Sequence, residues 1–577
     1  MKVMHRIRVL SFAVGLTLLL PSGFCSGVQK SASLKDLWFF GESPFMDDPA
    51  QLPIMTNVIR RAEAAGYTGF AFISGRDCYG NWREIDCRND GSRLFVSSHV
   101  GLDSLWRMDR GRLARFKAMK RACDAARIDF IPLIWSVGYG SMNMDDPNRV
   151  ACWPSPDVPY AVRGGKAVFA PERVAYDAHA FDGITAKTNR LGRWSAETSV
   201  AVKPMRRYRV SGEMRTADVA CAPRLLQGIS FHLHGVTADG VDRTFVSRFL
   251  TMESTQDWTP FDLDFHSETA TEVGMRLAAL ANPDGRLEVR GLKVEEAPIE
   301  YVVRREGTPF SVRDAETGRA YVEGVDYAPV ACLDRISFNR PERPLELTVL
   351  PGGSIRDGAK LLVSAYEPRC TFGVQYSSCL SNPEFYAYLK RSAQALEREF
   401  GLKKWFLSLD EIRVGCRCGL CEHGGKAIGG LLTEAIVRMR EAIRAVRPDA
   451  EIFMWSDMVD PNHNAQKDYY HCRTSFEGAL DGVPADIVMV PWWDKKAGTC
   501  AETLAAHGHE VLGGAFYDKR TRADMEANAA TWLKALRRTP KSRGIMYTTW
   551  QNGRDGGNYA FLEEFARYVL TNERICR

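Results

Sequence analysis

Two rhythms of apolar and polar positions divide the chain. The first is a series of short, nearly unbroken apolar runs at Leu37–Glu42, Gly69–Ser74, Phe130–Trp135, Trp405–Leu409, Ile452–Ser456, Ile487–Trp492, Val511–Tyr517 and Ile545–Trp550. A strand covered on both faces has no solvent side to alternate with, so such runs predict parallel strands within an α/β layer. Between them lie stretches with helical apolar spacing, clearest at Asn57–Ala65, Leu113–Ala126, Pro383–Phe400, Leu431–Val446 and Arg522–Leu536. Eight strand–helix units predict a (β/α)8 TIM barrel of the α/β class.

The second rhythm alternates residue by residue and is rich in Thr, Ser and Gly, as at 206–216, 227–235, 257–267 and 285–296. It predicts an antiparallel, jelly-roll-like β-sandwich inserted after the third barrel strand. The expected organisation is a signal peptide at 1–27, the first part of the barrel at 28–165 and the sandwich at 166–298. An all-β extension and return at 299–380 and the rest of the barrel at 381–577 follow. With the insert removed, Trp405–Leu409 is the fourth strand. Asp410 and Glu411 then fall at its carboxyl end, the face on which barrels of this kind build their sites.

Composition narrows the function. The 76 basic and 71 acidic residues leave a net charge of +5, too even a balance for a nucleic-acid partner, and there is no long basic run. No nucleotide fingerprint or serine-nucleophile elbow is found, so no cofactor is expected. Lys2, His5, Arg6 and Arg8 precede the apolar Leu10–Leu20 and the small residues Ser22, Gly23, Ser26 and Gly27. That order predicts export to the periplasm or beyond the cell. Phe24 is bulky for a lipoprotein processing site, so a lipid anchor at Cys25 is the lesser alternative, and no later stretch is long enough to span a membrane. Export permits disulfides among the 15 cysteines. Cys416, Cys418 and Cys421 follow the acidic pair directly. The expectation is that disulfides brace this loop; the alternative is a metal knuckle completed by His423 or Cys472.

Cleaving a glycosidic bond needs an acid for the leaving oxygen and a second group that attacks or stabilises the anomeric carbon. An Asp–Glu pair directly after an apolar strand suits that work, with Glu411 as the acid. Other strand ends carry Trp135, Trp455 with Asp457, Trp492 with Trp493, Tyr517 with Asp518, and Trp550. Trp135 either walls the pocket or packs in the core, and Asp457 either binds a hydroxyl or caps the following turn. His463, Asp77 and Trp82 are lesser candidates in loops.

The motifs SLDEI (408–412), MWSDM (454–458), VPWWD (490–494), AFYD (515–518) and TTW (548–550) together resemble those of glycoside hydrolase family 20, the β-N-acetylhexosaminidases. The resemblance covers the barrel only, mainly residues 400–560. It implies a substrate-assisted reaction in which the sugar's own 2-acetamido oxygen attacks the anomeric carbon. Asp410 would orient the acetamido group and Glu411 would be the general acid/base. Trp455, Trp492, Trp493 and Trp550 would wall the sugar, with Tyr517 and Asp518 among the substrate-binding residues. VLGGAFYDKR (511–520) carries no Glu, in keeping with a mechanism that needs no Glu nucleophile there.

The sequence also departs from that family. Phe406, Leu407, Ser408 and Leu409 stand before the pair where the family has His and Gly, Glu42 replaces an Arg at the first strand end, and Asn552 replaces an acidic residue after the last Trp. The family's small N-terminal α/β domain is not expected before this barrel. A different hydroxyl-recognition shell is therefore expected, with Glu42, Asp457 and Asn552 in it. The inserted sandwich resembles carbohydrate-binding modules, where Trp194 and Trp258 would either stack on sugars or pack inside. The expected partner is a carbohydrate, and the oligomeric state is left open. Two other readings remain: a glycosidase of another barrel family with Asp410 or Asp518 as nucleophile or base, and a non-catalytic glycan-binding protein.

Overall fold

The structure is a computed structural model. It describes residues 34–41, 46, 48–74, 101–139, 146–171, 193–219, 229–238, 240, 242–250, 255–332, 344–371, 375–422, 425–467, 469–470, 472, 475–550 and 559–575. The export segment with Cys25 lies outside these, as do Glu42, Asp77, Trp82, His423 and Asn552.

Strands β1 (Asp36–Gly41), β2 (Gly69–Ile73) and β3 (Asp129–Ile134) open the barrel. The insert contributes β4 (Cys152–Arg163), β5 (Lys166–Phe169), β6 (Arg193–Ala201), β7 (Arg207–Val219), β8 (Ile229–Val236), β9 (Asp242–Leu250), β10 (Gln256–His266), β11 (Glu272–Glu296), β12 (Ser311–Asp314), β13 (Ala320–Tyr321), β14 (Leu347–Thr348) and β15 (Lys360–Pro368). After the two-residue strands β16 (Cys370–Thr371) and β17 (Gln375–Tyr376), the barrel resumes with β18 (Lys404–Leu407), β19 (Glu451–Trp455), β20 (Ile487–Val490), β21 (Val511–Phe516) and β22 (Ser542–Thr549). The eight barrel strands close in the order β1-β2-β3-β18-β19-β20-β21-β22. The predicted fold class is observed, and β18 is the fourth strand.

The helices are α1 (Gln51–Ala65), α2 (Arg110–Ala125), α3 (Pro383–Phe400), the one-turn α4 (Gly419–Glu422), α5 (Ile428–Arg444), α6 (Ala497–Ala506), α7 (Arg522–Arg538) and α8 (Leu562–Ile575). Asn382 caps α3 by accepting from the Glu384 N–H, with Pro383 in the first turn. Between β19 and β20 the described residues form only a 3-10 turn, Ala479–Gly482. No described helix is long and apolar enough to cross a membrane.

Alternation along each strand builds two cores. Leu37, Phe39, Phe70 and Phe72 face the helices, while Trp38, Phe40, Ala71, Ile131, Phe406, Phe453, Trp455 and Met546 fill the barrel. Both faces are apolar, which explains the unbroken runs in the sequence. Gly69 makes room for the indole of Trp38, which a Cβ there would meet at 2.6 Å. At the amino-terminal end of the barrel, Asp36 accepts from Lys404 Nζ at 2.7 Å and from Arg543 Nε at 2.5 Å. Burial pushes the Asp36 carboxyl up, but the two cations outweigh it and hold it below its usual value.

The insert is nested. Strands β4 and β5 do not belong to the barrel region that reaches 165 in the sequence reading. They sit in a six-stranded antiparallel sheet ordered β13-β12-β15-β4-β5-β14. The sequence hides β4 because Pro154, Pro156 and Pro159 interrupt it, and proline removes ladder donors. Strands β6 to β11 form the second antiparallel unit. The long β11 pairs with β6 and β8 through its first half and with β7 through its second. Arg207 joins the two units, reaching Asp264 at 3.2 Å within the sandwich and Glu300 at 3.0 Å beyond it. Cys152 opposes Pro368 where the chain enters and leaves the insert.

Candidate active site

Backbone strain marks the carboxyl end of the barrel. Positive φ angles occur at Trp135 after β3, at Glu411 after β18, and at Phe516, Tyr517 and Asp518 at the end of β21. Left-handed backbone is costly for bulky residues and concentrates where geometry serves function. Gly138 packs under this turn so closely that a Cβ would meet the Asp410 carbonyl oxygen at 2.4 Å.

The acidic pair divides its two side chains between core and mouth. Asp410 is 5% exposed and its carboxylate accepts from Ser408 Oγ at 3.1 Å. Burial first, then the charges of Asp457 and Glu411, push its carboxyl well above the ordinary range. The Glu411 side chain is half-buried. Its carboxylate pairs with Arg413 at 2.7 Å and accepts a hydrogen bond from the Tyr139 hydroxyl. Asp457, fully buried after β19, accepts from the Glu411 backbone N–H at 3.0 Å and from Asn464 Nδ2 at 2.8 Å. Burial and the Glu411 charge outweigh these bonds and push Asp457 up to about 7.

Aromatic side chains surround the acids. Trp455 forms a buried floor against Phe406 and Trp550, with ring centroids 4.9 and 6.1 Å away. Trp492 stacks on Tyr517 at 5.5 Å with an 11° interplanar angle, and Tyr517 lies 6.4 Å from Trp550. His463 packs between Trp492 and Trp493, at 4.3 and 4.9 Å, and burial lowers it to about 4, which keeps it neutral. Asp518 accepts from Thr549 Oγ1 at 2.7 Å and from the Trp550 N–H at 3.2 Å, tying the β21 turn to the end of β22. The indole N–H groups of Trp455 and Trp550 and the hydroxyls of Ser456 and Thr548 have no hydrogen-bond partner among the described residues.

The structure thus brings Asp410, Glu411, Asp457, Trp455, Trp492, Trp493, Tyr517, Asp518 and Trp550 to one end of the barrel. Trp135 is turned away: it is fully buried, donates to Ser392 Oγ on α3 at 2.9 Å, and packs on Trp405. In the sandwich, Trp258 carries the guanidinium groups of Arg215 and Arg290 at 5.0 and 4.1 Å. Sequence reading missed Tyr139, Arg413 and Asn464. Arg413 had a visible signal, a cation two residues beyond the acid in an apolar segment. Tyr139 had none, because its contact with Glu411 comes from the neighbouring strand end, and Asn464 had none, because the fold of its own loop turns it back onto Asp457.

The three cysteines after the acidic pair are free thiols, against the expectation of disulfides, and Cys379 joins them. Cys472 instead points its thiol at the Ile412 carbonyl oxygen, 3.1 Å away.

No protein-family model and no curated protein matches the chain. Among solved structures, the chain is similar to the Streptomyces plicatus N-acetyl-β-hexosaminidase in complex with thio-NAglucal, at 9% identity over 93% of this chain and 63% of that one, TM-score 0.36. A glycoside hydrolase family 20 β-N-acetylglucosaminidase is similar at 8% identity over 92% of this chain and 70% of its own, TM-score 0.36. A family 16 carbohydrate-binding module covers 19% of this chain and 72% of its own at 14% identity, TM-score 0.15. Likeness at this level carries no argument about chemistry.

Proposed function

We propose that the chain is an exported glycoside hydrolase, exo-acting and retaining, that removes 2-acetamido sugars from a carbohydrate end by substrate-assisted catalysis. The observation that carries this reading is the division of labour in the acidic pair. Asp410 is buried and its charge is disfavoured, while Glu411 is half-exposed on a strained turn among aromatic rings.

In the proposed reaction Glu411, once protonated, gives its proton to the leaving glycosidic oxygen. The acetamido oxygen attacks the anomeric carbon as that bond breaks, forming a cyclic intermediate. Glu411, now a carboxylate, takes a proton from the water that opens the ring. Positive charge develops on the acetamido nitrogen along the way. Asp410 would accept its N–H, and a carboxylate poorly solvated by its surroundings gains most from such a partner. Arg413, Tyr139 and the Asp457 bond to the Glu411 N–H would hold the acid in place. Trp492, Tyr517 and Trp550 would stack on the sugar, and the unpartnered indole N–H groups would meet its hydroxyls.

Asp457 favours one second reading, a glycosidase that uses its own carboxylate as base, because a buried carboxyl at about 7 beside Glu411 suits proton transfer near neutral pH. Asp518 suits that role less well, since both its oxygens are engaged by Thr549 and Trp550, whereas Asp457 keeps Oδ1 without a partner among the described residues.

Hydrolysis of aryl N-acetyl-β-glucosaminide, N-acetyl-β-galactosaminide, β-glucoside and β-galactoside, with the protein and with Glu411→Gln, tests the proposal. Turnover of the N-acetyl sugars alone, abolished in the variant, is the expected result. Turnover confined to sugars without the acetamido group would overturn it in favour of the second reading. Glycan binding without turnover would leave a binding protein.

A further inference from the structure

The thiol sulfurs of Cys379, Cys416, Cys418 and Cys421 all lie within 4.8 Å of one another. Cys379 and Cys418 each stand 3.8 Å from Cys421. Four mutually close sulfurs are not a pair of disulfides, which would split them into two couples with sulfurs about 2.05 Å apart. Four thiolates around one Zn2+, with bonds of about 2.3 Å at tetrahedral angles, stand about 3.8 Å apart.

The surroundings fit anionic sulfur. Cys379 and Cys418 are fully buried and Cys421 nearly so. Arg305 Nη2 lies 3.4 Å from Cys416 Sγ and 3.2 Å from Cys152 Sγ, bringing a cation against the cluster. The Cys152 backbone N–H donates to Cys416 Sγ at 3.4 Å, and Ser381 Oγ lies 3.3 Å from Cys421 Sγ. Hydrogen bonds from a second layer of groups are how thiolate centres are oriented and their charge spread.

We propose that Cys379, Cys416, Cys418 and Cys421 bind one Zn2+ in a closed, four-sulfur site. Each thiol gives up its proton to the solvent as the metal–sulfur bond forms. Four protein ligands leave no open coordination position, so the ion is structural. It joins the loop that follows Glu411 to the segment leading into α3. Cys152, 3.8 Å from Cys416, stays outside the ligand set and shares Arg305 with it. The neighbouring bonds from Gly419 N–H to the Gly307 carbonyl and from Trp153 Nε1 to the Gly415 carbonyl fasten the same loop to the insert.

The test uses the full chain, purified without chelators or immobilised metal. Elemental analysis should find about one Zn2+ per chain. Stripping the ion and adding Co2+ should produce intense sulfur-to-metal charge-transfer absorption together with the visible bands of a tetrahedral all-sulfur centre. Cys379→Ser and Cys418→Ser should each lose the ion, and Cys152→Ser should keep it. Metal-free protein whose thiols titrate only after reduction would overturn the proposal in favour of disulfides. Retention of the ion in both Cys379→Ser and Cys418→Ser, or its loss in Cys152→Ser, would overturn the ligand set. Should the ligand variants not fold, the Co2+ spectrum of the unaltered chain decides. A spectrum lacking the charge-transfer bands counts against the site.

Discussion

The carboxylate of Asp457 accepts a hydrogen bond from the backbone N–H of Glu411 at 3.0 Å. The residue after the fifth barrel strand therefore fixes the peptide of the residue after the fourth. Glu411 has positive φ, and this bond is one of the contacts that hold that conformation. Asp457→Ala is expected to lower kcat by roughly 100-fold or more through displacement of Glu411. Asp457→Asn, which can still accept that bond, should recover part of the loss. Steady-state kinetics of the two variants check the difference.

The same group makes stability depend on pH. Its folded pKa is raised to about 7, so the unfolded chain gives up this proton more readily. The contribution is fully present below about 4 and is lost as pH rises through about 7. Thermal midpoints measured from pH 4 to 8 should show this decline in the unaltered chain and lose it in Asp457→Asn.

Gly138→Ala should disturb the acidic pair from behind. The added Cβ meets the Asp410 and Glu411 carbonyl oxygens at 2.4 and 3.0 Å, and backbone cannot swing aside as a flexible side chain would. A loss of about 1–3 kcal/mol in urea unfolding is expected, together with a fall in kcat. Unchanged stability and activity would show that this packing is not needed.

At the opposite end of the barrel, Asp36→Asn should leave Lys404 and Arg543 without their shared buried anion. Lys404 keeps Asp129 and Arg543 keeps Glu451 and Glu510, so the loss should be about 1–3 kcal/mol. Because the folded pKa of Asp36 is lowered, its stabilisation is present above the unfolded value of about 3.9 and is lost as pH falls through the folded value. Urea unfolding at pH 7 should therefore separate the variant from the unaltered chain, and the gap should narrow in strong acid.

Two tryptophans at strand ends should behave differently. Trp492→Ala removes a half-buried ring stacked on Tyr517 and should raise KM with little change in unfolding. Trp135→Phe removes an indole bonded to Ser392 in the outer core and should lower stability by about 1–3 kcal/mol while leaving KM unchanged. Kinetics and melts on both variants separate pocket from core.

The sequence alone determined the barrel, because a strand buried on both faces must be apolar throughout, and that requirement is written residue by residue. It also determined that Asp410 and Glu411 stand at a carboxyl strand end, since counting strands suffices. Strand β4 escaped because its prolines contradict a local rule that its partners β15 and β5 override. Only the tertiary structure decided which tryptophans face the mouth. Trp135 and Trp455 follow similar runs, and positive φ turns the first toward α3. It alone brought Arg413 and Tyr139 onto Glu411. It likewise gathered Cys379 with Cys421, 42 residues apart in sequence, because α3 and β18, which lie between them, carry the chain away and back to the same end of the barrel.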